Sequence, residues 1–150
     1  MAIDRNLQAG YEFAPVTRAM TQERMSVYSD MEHSVTAGPS GRLQLAPKNI
    51  HNDDEFARKE GLPGPIADGL IITAWIEAEL RGLFGVGYFR GGRIMTKFIK
   101  PVFAGDTITI RMTVKQNSAE GAANRIDLDI LCYNQKGDVV TVASGSGLAA

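Results

Sequence analysis

The chain has 150 residues, 44% hydrophobic and 22% charged, with a formal net charge of −1. That size and balance suit one soluble globular domain with a real core. The near-neutral charge points away from nucleic acid or an anionic membrane as partner. Cys132 is the only cysteine, which excludes an internal disulfide and suits a reducing, cytoplasmic setting. No apolar run approaches the ~20 residues that span a bilayer, and MAIDRNLQAG is charged early with no apolar core, so no secretory leader is expected.

In chain order, residues 1–20 read as an entry segment, in which residues 10–13 and 16–18 are expected to form a short strand pair. Thr21 is placed to cap a helix over residues 21–29, with Gln22 and Glu23 in its first turn and Met25, Val27 and Tyr28 as its apolar positions. From Asp30 to Lys48 the signals fade. Gly38, Pro39, Ser40 and Gly41 punctuate a loop that is long for a compact domain, a length that is usually functional or mobile. His33, at its start, is expected to be a solvated loop residue. Asn52, with Glu55 three residues on, forms a capping-box pattern for a second short helix ending at Gly61. Asp53 and Asp54 fill its first turn, where the helix dipole favours negative charge, and Phe56 and Ala57 form its buried side.

Residues 62–65, LPGP, make a rigid turn into IADG, with Asp68 as N-cap of the most apolar helix in the chain. Ile71, Ile72, Trp75, Ile76, Leu80 and Leu83 wrap most of that helix, which predicts burial on more than one side. Gly82 and Gly85 are expected to end it, and Gly85, Gly87, Gly91 and Gly92 to make a flexible or tightly turned connection. Strands follow. Residues 94–102 are β-rich. Ile108, Ile110, Met112 and Val114 alternate with polar neighbours, as do Ile126, Leu128, Ile130 and Cys132. Residues 134–137, NQKG, form a hairpin turn, and 139–147 the last strand. The plan is α+β: one buried helix, then an antiparallel meander that covers it. Internal repeats, a second domain, a phosphate-binding glycine loop, a CxxC pair and an HExxH helix are all absent.

Three segments carry a resemblance. IHNDDEFA (50–57), GPIADG (64–69) and KPVFAGDT (100–107), in this order and spacing, resemble segments of the MaoC-like hot-dog family, which includes the (R)-specific enoyl-CoA hydratases. The first resembles the stretch around the family's catalytic loop. The second is similar to the start of the central helix, where Ala-His-Gly is usual. The third resembles a strand-turn-strand that often reads Pro-Val-x-x-Gly-Asp-Thr. The resemblance spans about residues 49–145. It implies a hot-dog fold, an antiparallel sheet wrapped around one long central helix. It further implies a homodimer or higher oligomer whose sheets join edge to edge, and hydro-lyase action on an α,β-unsaturated or 3-hydroxy acyl-CoA-like thioester. No metal or organic cofactor is implied. The chain departs from the family's Asp-x-Asn-Pro-x-His motif: His51 fits the histidine, but Ala46, Lys48 and Asn49 stand at the Asp, Asn and Pro positions. Asp68 stands where Ala-His-Gly has its histidine.

Hydration of an enoyl thioester needs a base for water, an acid for Cα, and donors for the developing enolate oxygen. His51, whose ordinary pKa lies nearest neutrality, is the candidate base, against the alternative of a supporting histidine bonded to backbone near the helix. The Gly69 backbone N–H, at a helix N-terminus where glycine permits close approach, is the candidate oxyanion donor. The missing carboxylate has four candidates, Asp68, Asp53, Asp30 and Glu32, with Asp68 first because it adjoins Gly69; against it stands its role as a helix cap. Asn49 is a candidate to orient water or the substrate carbonyl. Arg90, Arg93 and Lys97 are candidates to neutralise CoA phosphates near the dimer seam, against the plainer expectation of solvated surface cations. Rival readings are a non-catalytic thioester-binding or partner subunit, an acyl-CoA thioesterase, and a lyase on a non-CoA small molecule.

Overall fold

The structure, a computed structural model, describes residues 3–33 and 47–150, apart from the side chains of residues 32 and 33. In chain order they form β1 (Val16–Ala19), α1 (Gln22–His33), α2 (Asp54–Lys59), α3 (Gly69–Phe84), α4 (Val86–Gly91), β2 (Arg93–Phe98), β3 (Thr107–Glu120), β4 (Ala123–Tyr133) and β5 (Val139–Ala149). The strands make one antiparallel sheet in the order β1-β3-β4-β5-β2. One face of that sheet covers α3, the arrangement expected of a hot-dog fold.

The alternating strands explain the core. Ile110, Met112 and Val114 on β3 stand opposite Cys132, Ile130 and Leu128 on β4, so their side chains share the face toward α3. All six are buried. The helix answers with Ile72, Ile76, Leu80 and Phe84, an i, i+4 stripe that is buried throughout. Close approach depends on two β5 glycines. A Cβ on Gly145 would lie 2.7 Å from Leu80 Cδ1, and one on Gly147 would lie 2.4 Å from Phe84 Cγ. Ile71 is also buried, and Trp75 half-buried, on a second side toward α1.

Asp68 caps α3 as expected: its Oδ1 accepts from the Leu70 N–H at 2.8 Å. Gly85 ends the helix with φ +53. Gly82, by contrast, lies inside it. Thr21 caps α1 by accepting from the Arg24 N–H at 3.2 Å, but α1 runs on to His33, past the expected end.

Four local expectations change. Residues 10–13 and 16–18 do not pair with each other; β1 and a bridge at Glu12 both pair with β3, which offers a longer edge. The cap of α2 is Asp53, not Asn52. Asp53 has the extended backbone a cap requires (φ −134, ψ 121) and accepts from the Phe56 N–H, while Asn52 Oδ1 accepts from the Asn49 N–H and closes the preceding loop. Phe56 is 38% exposed, and Ala57 alone is buried in that helix. The glycine-rich stretch after α3 is the helix α4, not a loose connection. Its Gly87 lies against β5, where a Cβ would come 1.8 Å from the Leu148 carbonyl oxygen, so these glycines permit contact rather than motion.

A candidate active site at the amino end of α3

The loop before α2 is built around Asn49. Its Oδ1 accepts from the His51 N–H at 2.8 Å, and its Nδ2 donates to the Pro47 carbonyl at 3.1 Å. An Asx side chain that bonds its own backbone two residues on fixes a tight turn. Asn52 Nδ2 donates to the same Pro47 carbonyl. The Ile66 N–H then donates to the Ile50 carbonyl at 3.0 Å, tying this loop to the turn that precedes α3. Asn49 thus acts on the backbone of His51, with its side chain committed to the loop and to Ser29 on α1. Ala46, Glu32 and the ring of His33 lie outside the described residues.

His51 is held at one ring nitrogen and faces a carboxylate with the other. Its Nδ1 lies 2.8 Å from the Ile66 carbonyl oxygen, and its Nε2 lies 3.9 Å from Asp68 Oδ2. A carbonyl oxygen only accepts, so Nδ1 carries the hydrogen. In the neutral ring Nε2 is therefore the bare, basic nitrogen, and it faces the carboxylate. Asp68 Oδ1 caps α3 as expected, and its Oδ2 faces His51. The two side chains are 24% and 21% exposed. A gap of 3.9 Å is too long for a direct hydrogen bond, and one water bonded to both groups would fit it.

Gly69 follows at the first helical position, where an N–H has no acceptor within its own helix. The Phe98 ring of β2 packs on it; a Cβ there would lie 2.5 Å from the ring. His51 and Gly69 line one cavity of about 450 Å³, with Leu62, Ile72, Val102 and Thr141 as further wall.

The other carboxylates are engaged elsewhere or unplaced. Asp53 caps α2 and pairs with Lys48 Nζ at 2.8 Å, and the Lys48 ammonium, then the Phe56 N–H, hold its carboxyl below the usual range. Asp30 sits on α1.

The three cations proposed for CoA phosphates do not line this cavity. Arg93 and Lys97 alternate with Ile94, Thr96 and Phe98 on β2, which puts them on the sheet face opposite α3. Arg90 lines a separate recess with Phe84 and Ala123, at the carboxyl end of α3. The cation that does line the cavity is Lys100. It bonds Asp138 at 2.7 Å and, with Asn134, holds that carboxyl below its ordinary range. Its place in the KPVFAGDT segment, directly after β2, was the available signal.

Comparison with known proteins bears on the family and the fold. A family model described as MaoC like domain matches residues 45–128. Mesaconyl-CoA hydratase of Cereibacter sphaeroides is 32% identical over 100 residues, which cover 61% of this chain and 27% of that relative. The chain therefore spans only about a quarter of the relative's length. Among solved structures, the R-hydratase PhaJ1 of Pseudomonas aeruginosa superposes with a TM-score of 0.72 at 19% identity, covering 95% of this chain and 82% of that one. The ChsH1-ChsH2 complex of Mycobacterium tuberculosis gives a TM-score of 0.71 at 14% identity, covering 95% and 98%. At these identities the superpositions establish the hot-dog fold.

Proposed function

Because the chain belongs to the MaoC-like domain family, we propose that it is a hydro-lyase that adds water to, or removes it from, an acyl thioester of the CoA type. The reading treats residues 1–150 as one hot-dog domain working in the cytoplasm. The observation that carries it is the placement of His51 Nε2 opposite Asp68 Oδ2 at 3.9 Å, beside the first N–H of α3.

The mechanism follows from that geometry. A water between the two groups gives one proton to His51 Nε2 while its oxygen bonds to Cβ of the enoyl thioester. Electron density moves to the thioester oxygen, which the Gly69 N–H receives at the positive end of the helix dipole. The imidazolium, its Nδ1–H fixed on the Ile66 carbonyl, then returns the same proton to Cα. One histidine serves as base and acid, and the addition balances without a second proton donor. Asp68 holds the water through its other hydrogen and stabilises the imidazolium. In this role it takes the place of the carboxylate expected at Ala46. Lys100 at the cavity wall, rather than Arg90, Arg93 or Lys97, is the cation near enough to meet an anionic group of the carrier within one protomer.

A homodimer is part of the reading. Among the described residues, β2 ends the sheet with one unpaired edge, and Met95, Phe98 and Ile99 beside it are exposed apolar residues, features that support pairing with a second copy. Sedimentation as a monomer would remove that part. The activity itself is tested on a panel of enoyl-CoAs, following enoyl absorbance and free thiol together. Loss of the enoyl signal without thiol release supports hydration. Thiol release supports thioester hydrolysis instead, and no reaction with tight binding of a second hot-dog chain supports the partner-subunit reading.

A further inference from the structure

Among the described residues, two buried side-chain polar atoms have no hydrogen-bond partner: Arg18 Nε and Thr141 Oγ1. Arg18 is otherwise provided for, since its Nη2 bonds Glu79 Oε1 and its guanidinium lies over Trp75. Thr141 is not. The residue is 0% exposed and forms part of the wall of the His51 cavity. Its direct neighbours across the sheet are Phe98 on β2 and Cys132 on β4. A phenyl ring offers no acceptor for a hydroxyl hydrogen in the ordinary sense, and a thiol is a weak partner. No bond to Cys132 forms.

A buried hydroxyl without a partner is costly, and valine would fill the same volume without that cost. The flanking residues of β5, Val140 and Val142, are valines already. Threonine at this one position, with its hydroxyl unpaired beside a cavity, calls for a ligand atom.

Position says which part of a ligand that is. Phe98 packs on Gly69, and Thr141 stands directly opposite Phe98, about 5 Å further across the sheet. Ile72, Phe98 and Thr141 line the cavity beside Gly69, so an acyl chain whose thioester oxygen sat at the Gly69 N–H would run along them. The rest of that path is apolar: Leu62, Ile72 and Val102. A polar group set among apolar side chains fixes orientation and specificity. A site built to hydrogen-bond a substrate oxygen rejects the analogue that lacks it more strongly than an apolar pocket rejects an extra methylene.

We propose that Thr141 is a specificity-determining residue whose hydroxyl bonds an oxygen function, a hydroxyl or a carboxylate, on the acyl chain of the substrate, so that the site selects oxygen-bearing acyl groups over plain alkyl ones. The proposal rests on the thioester reading of the same cavity.

The test measures binding of unreactive saturated thioesters by calorimetry, so that it does not depend on turnover. Pentanoyl-CoA and 4-hydroxybutyryl-CoA have the same number of heavy acyl atoms and differ by methyl against hydroxyl; succinyl-CoA adds the carboxylate case. The wild-type protein should bind at least one oxygen-bearing thioester about 10-fold more tightly than pentanoyl-CoA, and the favoured arm identifies hydroxyl or carboxylate. Thr141→Val should abolish that preference and Thr141→Ser should keep it. Should valine fail to pack, Thr141→Ala against Thr141→Ser poses the same contrast of hydroxyl lost and hydroxyl kept. A wild type that binds all three alike, or a preference that survives Thr141→Val, overturns the proposal while leaving the thioester site standing. Failure of the wild type to bind any of the three overturns both.

Discussion

The two ends of α3 both rely on glycine, with different results. At the carboxyl end the space left by missing side chains is filled. Leu80 occupies the gap over Gly145, Phe84 the gap over Gly147, and the α4 backbone at Gly87 meets the Leu148 carbonyl. At the amino end Gly69 admits the Phe98 ring, but beyond that contact the cavity opens, and its polar groups are the ones with chemistry to offer: His51, the Gly69 N–H, Lys100 and the Thr141 hydroxyl. One helix is thus anchored by dry packing at one end and left approachable at the other. Rigid packing at the far end steadies the helix that Asp68 caps, and a pair proposed for catalysis must be held to within fractions of an ångström.

That comparison predicts that lesions at the two ends separate activity from stability. The largest effect is expected at the open end. His51→Ala should lower hydration of the best enoyl-CoA by about 10²–10⁴-fold with the melting temperature near that of the wild type, because a single base is removed from a partly exposed position. Steady-state kinetics beside a thermal melt checks it. A variant with near-normal turnover would remove His51 from the mechanism.

The next effect is expected at the filled end. Leu80 is fully buried and touches the space over Gly145, so Leu80→Ala should cost about 2–5 kcal/mol of stability through lost burial and a cavity. Chemical denaturation measures it. At temperatures where the variant is folded, kcat should change far less than in His51→Ala. An equal collapse of kcat in fully folded protein would show that the two ends are not separable in this way.

The sequence made the filled end easy to read and the open end hard. Alternation on β3 and β4 marked Ile110, Met112, Val114, Ile126, Leu128, Ile130 and Cys132 for burial, and each is buried, because a two-residue period admits only one inward face. The α3 cap at Asp68 was legible for a similar reason: an aspartate before an apolar helical run has one favoured local use. What misled was punctuation. Gly87 and Gly91 read as a flexible or tightly turned connection, since a glycine that frees the chain and one that admits a neighbour look alike without the neighbour. Asn52 and Asp53, adjacent and both good caps, exchanged roles because the Asn49 turn claims Asn52. Arg93 and Lys97, expected near the dimer seam, lie by strand alternation on the sheet face away from α3 and so outside the His51 cavity of one protomer. The same alternation, applied one strand over, puts Thr141 on the cavity side, but that its hydroxyl lacks a partner depends on Phe98 and Cys132 across the sheet, which no local pattern encodes.

Asp68 is where the two readings of the amino end meet, and its variants give the smallest but most discriminating effect. Oδ1 serves the helix and Oδ2 faces His51, so two substitutions can divide the residue. Asparagine retains an oxygen that accepts from the Leu70 N–H and caps about as well as aspartate, whereas alanine forfeits the cap at a cost of about 1 kcal/mol. Asp68→Asn should therefore melt with the wild type, and Asp68→Ala should melt a few degrees lower. If the carboxylate holds the attacking water and steadies the imidazolium, both should lose turnover to a similar extent, because neither presents a negative charge to Nε2. Parallel melts and kcat values on the two variants decide the matter. Turnover that follows stability, with Asp68→Asn fully active, would leave Asp68 a helix cap and nothing more. Turnover lost in both, with stability lost in one, would separate the charge from the cap on a single side chain.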